Sequence, residues 1–365
     1  MKKVYLDWNA TAQIRPEVLD LVTKVMGEVG NASSVHDFGR RARKYVEDAR
    51  AQVAKLCAVT PDQVTFTSCA TESINTIHHG FKDQPVLISA IEHPAVIAAA
   101  PQAKQIPVTL DGVIDMEAYK KLLEDHKPKL VSVMLVNSET GVIQPIKEMA
   151  ELAHEAGALF HTDAVQAAGR IDITLDNLDV DYLSLSAHKF SGPQGVGAII
   201  CREGCDVPRF MLGGGQEKNC RAGTHNTAGI AGMGLAAELA LKNLPQYEEI
   251  QKLRDDMESR IRKISNNAII YGAKSPRVGN TTNVGLPNLP AQTQLMALDL
   301  DGIAVSSGSA CSSGAFKPSH VLTAMGADEE ESKSALRISL GWNTKATDID
   351  AFLESWKKLA ERNNA

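Results

Sequence analysis

No stretch of this chain approaches the ~20 consecutive apolar residues of a membrane-spanning helix. The opening segment, "MKKVYLDWNATAQIRPE", has two lysines with no apolar run behind them, so it does not read as a signal peptide. Charge of one sign is also missing. The formal net charge is −6 over 365 residues, which excludes nucleic acid or a membrane surface as a bulk partner. Internal repeats and low-complexity tracts are absent. Cysteine is sparse: Cys57, Cys69, Cys201, Cys205, Cys220 and Cys311. In a large chain expected in the cytoplasm, these read as free thiols rather than disulfides. The "CREGC" pair, Cys201 and Cys205, has no matching Cys or His pair at zinc-site spacing, so no metal site is expected.

What is present is ordinary for a folded protein, with 44% hydrophobic and 22% charged residues. From about residue 15 to 245, short apolar runs alternate with helix-like segments. The strand candidates are "VTFTS", "PVLISAI", "KLVSVMLV", "ALFHTDA", "YLSLSAH" and "VGAIICR". Several are continuous rather than alternating, as in a parallel sheet covered on both faces. "RARKYVEDARAQVAKLC" and "IKEMAELAHEAG" have helical spacing, the second stopped by Gly157. The alternation predicts an α/β fold with a mostly parallel sheet. After residue 245 the rhythm changes to a long charged helix, short strands and a C-terminal helix. The expected division is a large domain over 15–245 and a smaller α+β domain from 1–14 and 246–365.

Ligands of such folds sit at the carboxyl ends of the strands. Polar groups follow the strands there: Thr71; Glu92 and His93; Asn137 and Ser138; Asp163 with Gln166; and Ser186, His188 and Lys189. Any one has a bland explanation as a helix cap or a surface group. Five such sets on one edge point to a site. Lys189 lies in "SAHKFSGPQGVG", between a strand and a glycine-rich turn. A lysine amine forms a Schiff base with an aldehyde, and pyridoxal phosphate is the cofactor that most often uses one. That cofactor needs a carboxylate at its pyridine nitrogen, for which Asp163 is suited. Thr71, Ser186 and His188 are candidates for its phosphate, and His93 can cover the ring.

These segments resemble the cysteine desulfurases of the class V aminotransferase superfamily, which are fold-type I pyridoxal-phosphate enzymes. The resemblance runs through "YLDWNATAQIRPE", "TSCATES", "EHPAV", "HTDAVQAAG", "SAHKFSGPQGVG", "GGGQEKNCRAGTHN", "SSGSACSSGAFKPSHVL" and "ALRISLG". It implies a seven-stranded sheet between helices and a small domain that carries a catalytic cysteine. Carried over, it implies that Lys189 bonds covalently to the cofactor and that His93 stacks on the ring and moves protons. Asp163 would pair with the pyridine nitrogen and Gln166 with the phenolate oxygen. Ala70, Thr71, Ser186 and His188 would hold the phosphate, with Thr224 donated by the second subunit of a homodimer. Arg337 would grip the carboxylate of L-cysteine, and Cys311 would accept the sulfur.

The Cys311 segment, "SSGSACSSG", consists of small residues and cannot build a core, so a mobile loop is expected. The family usually has two adjacent asparagines where this chain has Asn137-Ser138. That leaves Ser138 a short contact to cofactor or substrate and Asn137 a substitute. "TSCATES" has Cys69 where glycine is common, and this thiol reads as packing. The sulfur would pass to an acceptor or scaffold protein, for iron–sulfur clusters or other thio-cofactors. A selenocysteine lyase or another class V transaminase or lyase is the alternative. A non-catalytic relay module is disfavoured, because Lys189, Asp163, His93 and Arg337 are all present.

Overall fold

The computed structural model describes residues 3–308 and 318–363. At its centre is a seven-stranded sheet. In spatial order the strands are Val64–Thr67, Gly197–Cys201, Tyr182–Ser186, Leu159–Asp163, Leu130–Ser132, Val86–Ser89 and Lys104–Ile106. From Tyr182–Ser186 to Lys104–Ile106 every neighbouring pair is parallel. Gly197–Cys201 runs antiparallel to both its neighbours. The expected α/β architecture is therefore present. Leu130–Ser132, Tyr182–Ser186 and Gly197–Cys201 are buried at every position, and Leu159–Asp163 at all but its first, as their continuous apolar runs imply.

The helices that cover the sheet follow from their periodicity. Asp37–Leu56 buries Ala42, Val46, Ala49 and Val53, which recur every three or four residues along one stripe. It packs against Thr227–Lys242, a helix rich in alanine and glycine. A side chain at Gly234 would stand 2.5 Å from the Ala49 Cα, so glycine is what lets these two helices meet closely. Ile146–Glu155 ends where Gly157 takes the left-handed conformation, at φ 76°. The edge strand Lys104–Ile106 escapes sequence reading. It is three residues long with two exposed positions, a short and charged edge of the kind that resists pairing with other chains.

A second sheet joins Ser306–Ser307, Ala335–Ser339, Thr281–Gly285 and Ile269–Ile270, all antiparallel. Its core includes Leu336, Ile338, Phe352, Trp356 and the inner face of the helix Tyr247–Ile264. Val4 and Leu6 belong to the same core, because the strand Val4–Tyr5 pairs in parallel with Ile303–Ala304. The chain thus begins in the second core and then crosses to the first. At the crossing Trp8 is buried and donates its indole N–H to the Tyr5 carbonyl at 3.1 Å. A side chain on Gly341 would fall 1.9 Å from the Trp8 ring, so the two segments fit only with glycine there.

Candidate active site

The strand ends gather around a cavity of about 410 Å³. Thr71, His93, Asp163, Gln166, Ser186, His188, Lys189 and Arg337 all line it, with Ala70 and Ser138. The parallel strands point their carboxyl ends to one edge, and residues far apart in sequence meet there.

One end of the cavity suits an anion. The helix Ala70–Gly80 starts there, and Cys69, its N-cap residue, provides no side-chain cap. First-turn N–H groups without a cap, together with the helix dipole, attract negative charge. His188 and Ser186 line the same cavity. The His188 Nδ1 is 3.2 Å from the Thr11 hydroxyl. Burial, reinforced by Lys189, lowers His188 to about 4, so its ring is neutral at pH 7.

The other side holds a carboxylate, an imidazole and an amine. Asp163 is buried and accepts the Val165 N–H at 2.9 Å. Burial pushes its carboxyl up, while His93 and Lys189 pull it back down. His93 caps the helix Pro94–Ala99, where its Nδ1 accepts the Ala95 N–H at 3.1 Å. That bond places the proton of the neutral ring on Nε2. Burial lowers the His93 pKa and Asp163 opposes the shift. Lys189 donates to the Asn9 carbonyl at 2.5 Å and to the Ala10 carbonyl at 2.9 Å. Gln166 donates from Nε2 to the same Asn9 carbonyl at 3.0 Å, and its Oε1 is buried with no hydrogen-bond partner among the described residues.

Arg337 completes the wall. Its Nη2 donates to Asp7 at 2.8 Å and its Nη1 to the Ser138 carbonyl at 3.4 Å, while Nε has no partner among the described residues. The expectation for Asn137 needs correction. Its Oδ1 accepts the N–H groups of Glu139 and Thr140, both at 3.0 Å, and its Nδ2 donates to the Ile91 carbonyl at 3.2 Å. Asn137 closes the turn after Leu130–Ser132, so its amide is spent on that turn; Ser138 reaches the cavity instead. Thr224 is exposed and lies away from this cavity. Cys311 lies outside the described residues. Elsewhere, burial pushes the Cys57 and Cys201 thiols up to about 12 and raises those of Cys205 and Cys220, which disfavours the reactive thiolate.

Sequence reasoning missed Asp7, Asn9 and Thr11, each of which touches a site residue. The polar run in "LDWNAT" beside an apolar strand was the available signal. Glu139, among the polar residues that follow the strand "KLVSVMLV", was given no role; burial raises its carboxyl to about 7.

The match to a family model now adds to this geometry. Residues 4–352 match the aminotransferase class-V family, and the chain belongs to it. Members of this family depend on pyridoxal phosphate. Among its relatives is a cysteine desulfurase of Enterobacter agglomerans, 40% identical over 99% of this chain and 94% of that protein. The solved structure of a NifS-like protein from Rickettsia africae superposes with a TM-score of 0.93 at 39% identity, covering 99% of this chain and 100% of that one. The structure of SspA in complex with cysteine gives a TM-score of 0.79 at 28% identity, covering 92% and 98%.

The residues present fit pyridoxal phosphate. An uncapped helix N-terminus suits the phosphate, and a buried carboxylate suits a protonated pyridine nitrogen. The orphaned Gln166 Oε1 marks a polar group with a bond still to make. The Gln166 amide nitrogen gives one N–H to Asn9 and has a second N–H to offer an acceptor in the cavity.

Glu92, next to His93, supplies a test of this electrostatic setting. Its Oε1 accepts from the Ser89 hydroxyl and from the Met134 N–H, while Oε2 is buried with no partner among the described residues. Burial raises the carboxyl from 4.5 to about 8. The folded state therefore holds a proton that the unfolded chain releases near 4.5. The stability contributed by the neutral form is complete below that pH and is lost as pH rises towards 8. Glu92→Gln, which stays neutral, should match wild type in urea unfolding at pH 4.5. By pH 8 it should be more stable by up to a few kcal/mol. A difference independent of pH would show that Glu92 does not titrate in this way.

Proposed function

We propose that this protein removes sulfur from L-cysteine, giving L-alanine and a persulfide on Cys311. The observation that carries the reading is the meeting of Lys189, Asp163, His93 and Arg337 in one cavity, beside an uncapped helix N-terminus. The cysteine desulfurase relatives, similar over nearly the whole chain, support it. When bound, the cofactor supplies an electron sink for the carbon skeleton of the substrate.

The chain's own residues do the rest. Ala70, Thr71, Ser186 and His188 hold the phosphate, and Asp163 accepts a hydrogen bond from the ring nitrogen. His93 covers the ring face and, with its proton on Nε2, is the group that moves protons. Lys189 attaches the cofactor. Arg337 binds the substrate carboxylate through a planar fork that lysine lacks. Ser138 lines the cavity beside it. The Cys311 thiolate attacks the substrate sulfur as the carbon–sulfur bond breaks. The bonding electrons stay with carbon, which takes up a proton to become alanine, and the sulfur stays on Cys311 as a persulfide. Cysteine plus thiol thus gives alanine plus persulfide, with no outside oxidant or reductant. An acceptor or scaffold protein then takes the sulfur, for iron–sulfur clusters or other thio-cofactors.

Two finer statements belong to the same reading. The two cores are taken as a large domain over 15–245 and a small one from 1–14 and 246–365, in a protein placed in the cytoplasm. The active form is a homodimer in which Thr224 reaches the phosphate in the partner's cavity. In support, the Thr224 segment is exposed yet firmly tied. Glu217 accepts from Arg50 at 2.8 and 2.9 Å, from the Phe66 N–H at 2.7 Å, and lies 2.8 Å from His225. Thr224→Val should weaken cofactor binding roughly tenfold, the loss of one hydrogen bond to a charged group. A sedimenting monomer with full cofactor occupancy would contradict the dimer.

The reaction is tested by measuring alanine and sulfide from L-cysteine with a reductant present. Wild type should give the two in equal amounts. Cys311→Ser should keep its cofactor and its first spectral change with L-cysteine, yet lose turnover by roughly a hundredfold or more. Turnover near wild type would place the nucleophile elsewhere.

A further inference from the structure

We infer that Glu139 is a positioning residue for sulfur transfer, fixing both ends of the segment that carries Cys311 against the turn that brings Ser138 to the cavity. This inference rests on the reading of Cys311 as the sulfur acceptor.

The geometry comes from described residues on either side of that segment. On its far side, the Ser319 hydroxyl donates to Glu139 Oε2 at 2.6 Å. On its near side, a side chain at Gly308 would stand 2.1 Å from the same oxygen. The Gly308 backbone therefore lies directly against the carboxylate. That same side-chain position is 3.0 Å from the Ser319 Cβ, so the two ends also lie against each other. One buried oxygen thus lies against Gly308 and accepts from Ser319.

Each end is in turn tied to the site. Ser306, two residues before Gly308, lines the cavity and is paired in register with Arg337. Ser319 begins the helix His320–Ala324, accepting the Leu322 N–H at 3.1 Å, and its own N–H donates to Ser332 at 2.8 Å. The His320 Nε2 lies 2.9 Å from the Glu92 carbonyl, beside His93. Glu139 itself is fixed by the Asn137 bond to its N–H and by Asn283, whose amide approaches its carbonyl at 3.4 Å. Arg337 adds an attractive field at the carboxylate. A brace of this kind matters because sulfur transfer needs the thiolate at the substrate sulfur. A misplacement of about 1 Å costs on the order of a hundredfold in rate.

The test compares Glu139→Ala, Glu139→Gln and Cys311→Ser as purified, cofactor-loaded protein. Glu139→Ala should bind cofactor normally and keep KM for L-cysteine within about twofold, while kcat falls roughly tenfold to a hundredfold. Its rate of Cys311 alkylation by iodoacetamide should change as well. Glu139→Gln, whose amide oxygen still accepts the Ser319 hydroxyl, should recover most of kcat. If Glu139→Ala is unstable, Ser319→Ala is read in its place, with the same loss of kcat expected at unchanged KM. Wild-type kcat in the alanine variant that is read, or equal losses of cofactor binding and kcat, would overturn the positioning role while Cys311→Ser is inactive. An active Cys311→Ser would instead remove the reading beneath it, and the inference with it.

Discussion

The ammonium of Lys189 rests on two backbone carbonyls, those of Asn9 and Ala10, and the site is organised around that contact. The carbonyls belong to a segment that starts in the second core with Val4 and Leu6 and ends beside the first sheet. Asn9 also binds Ser339 through its N–H, and Thr281 and the Ser138 carbonyl through its side chain. Two residues earlier, Asp7 holds Arg337. A single short stretch therefore ties the amine that would carry the cofactor to the guanidinium that would carry the substrate. Neutral carbonyls hold the lysine by their dipoles, while its charge helps offset the burial of Asp163.

Asp163 lines the cavity, Glu92 and Glu139 are buried next to its residues His93 and Ser138, and each of the three carboxyls is balanced differently. Asp163 faces His93 and Lys189, which oppose the effect of burial. Glu92 has hydrogen bonds but no cation of its own, and burial dominates. Glu139 has the Ser319 hydroxyl and the Arg337 field. In a low-dielectric setting an unpaired charge is costly, so these groups differ in how readily they ionise. Asp163 has basic neighbours on the cavity side and is the one fitted to meet a protonated ring. Glu92 and Glu139 serve the backbone that shapes the cavity, through Met134 and Ser319.

Much of this was legible in the sequence because the parallel sheet writes itself as continuous apolar runs, each followed by polar residues at one edge. Lys189, Asp163 and His93 could be placed at strand ends for that reason. Lys104–Ile106 could not, since three residues with two exposed carry no periodic signal. Asn137 was misread because an asparagine after a strand closes a turn as readily as it binds a ligand, and only the fold shows its Oδ1 on the Glu139 and Thr140 amides. The work of Asn9 depends on contacts to residues such as Lys189 and Thr281, far along the chain, which no local pattern encodes. Cys311 came from the family resemblance, with the small residues around it in support, and its role is a proposal.

The most direct measurement is of where the cofactor attaches. The protein loaded with pyridoxal phosphate is reduced with borohydride, digested, and mapped by mass spectrometry. The expected result is a single reduced adduct, on Lys189, with Lys189→Ala losing the visible absorbance of the loaded protein. An adduct on another lysine, or unchanged absorbance in Lys189→Ala, would contradict the site as described.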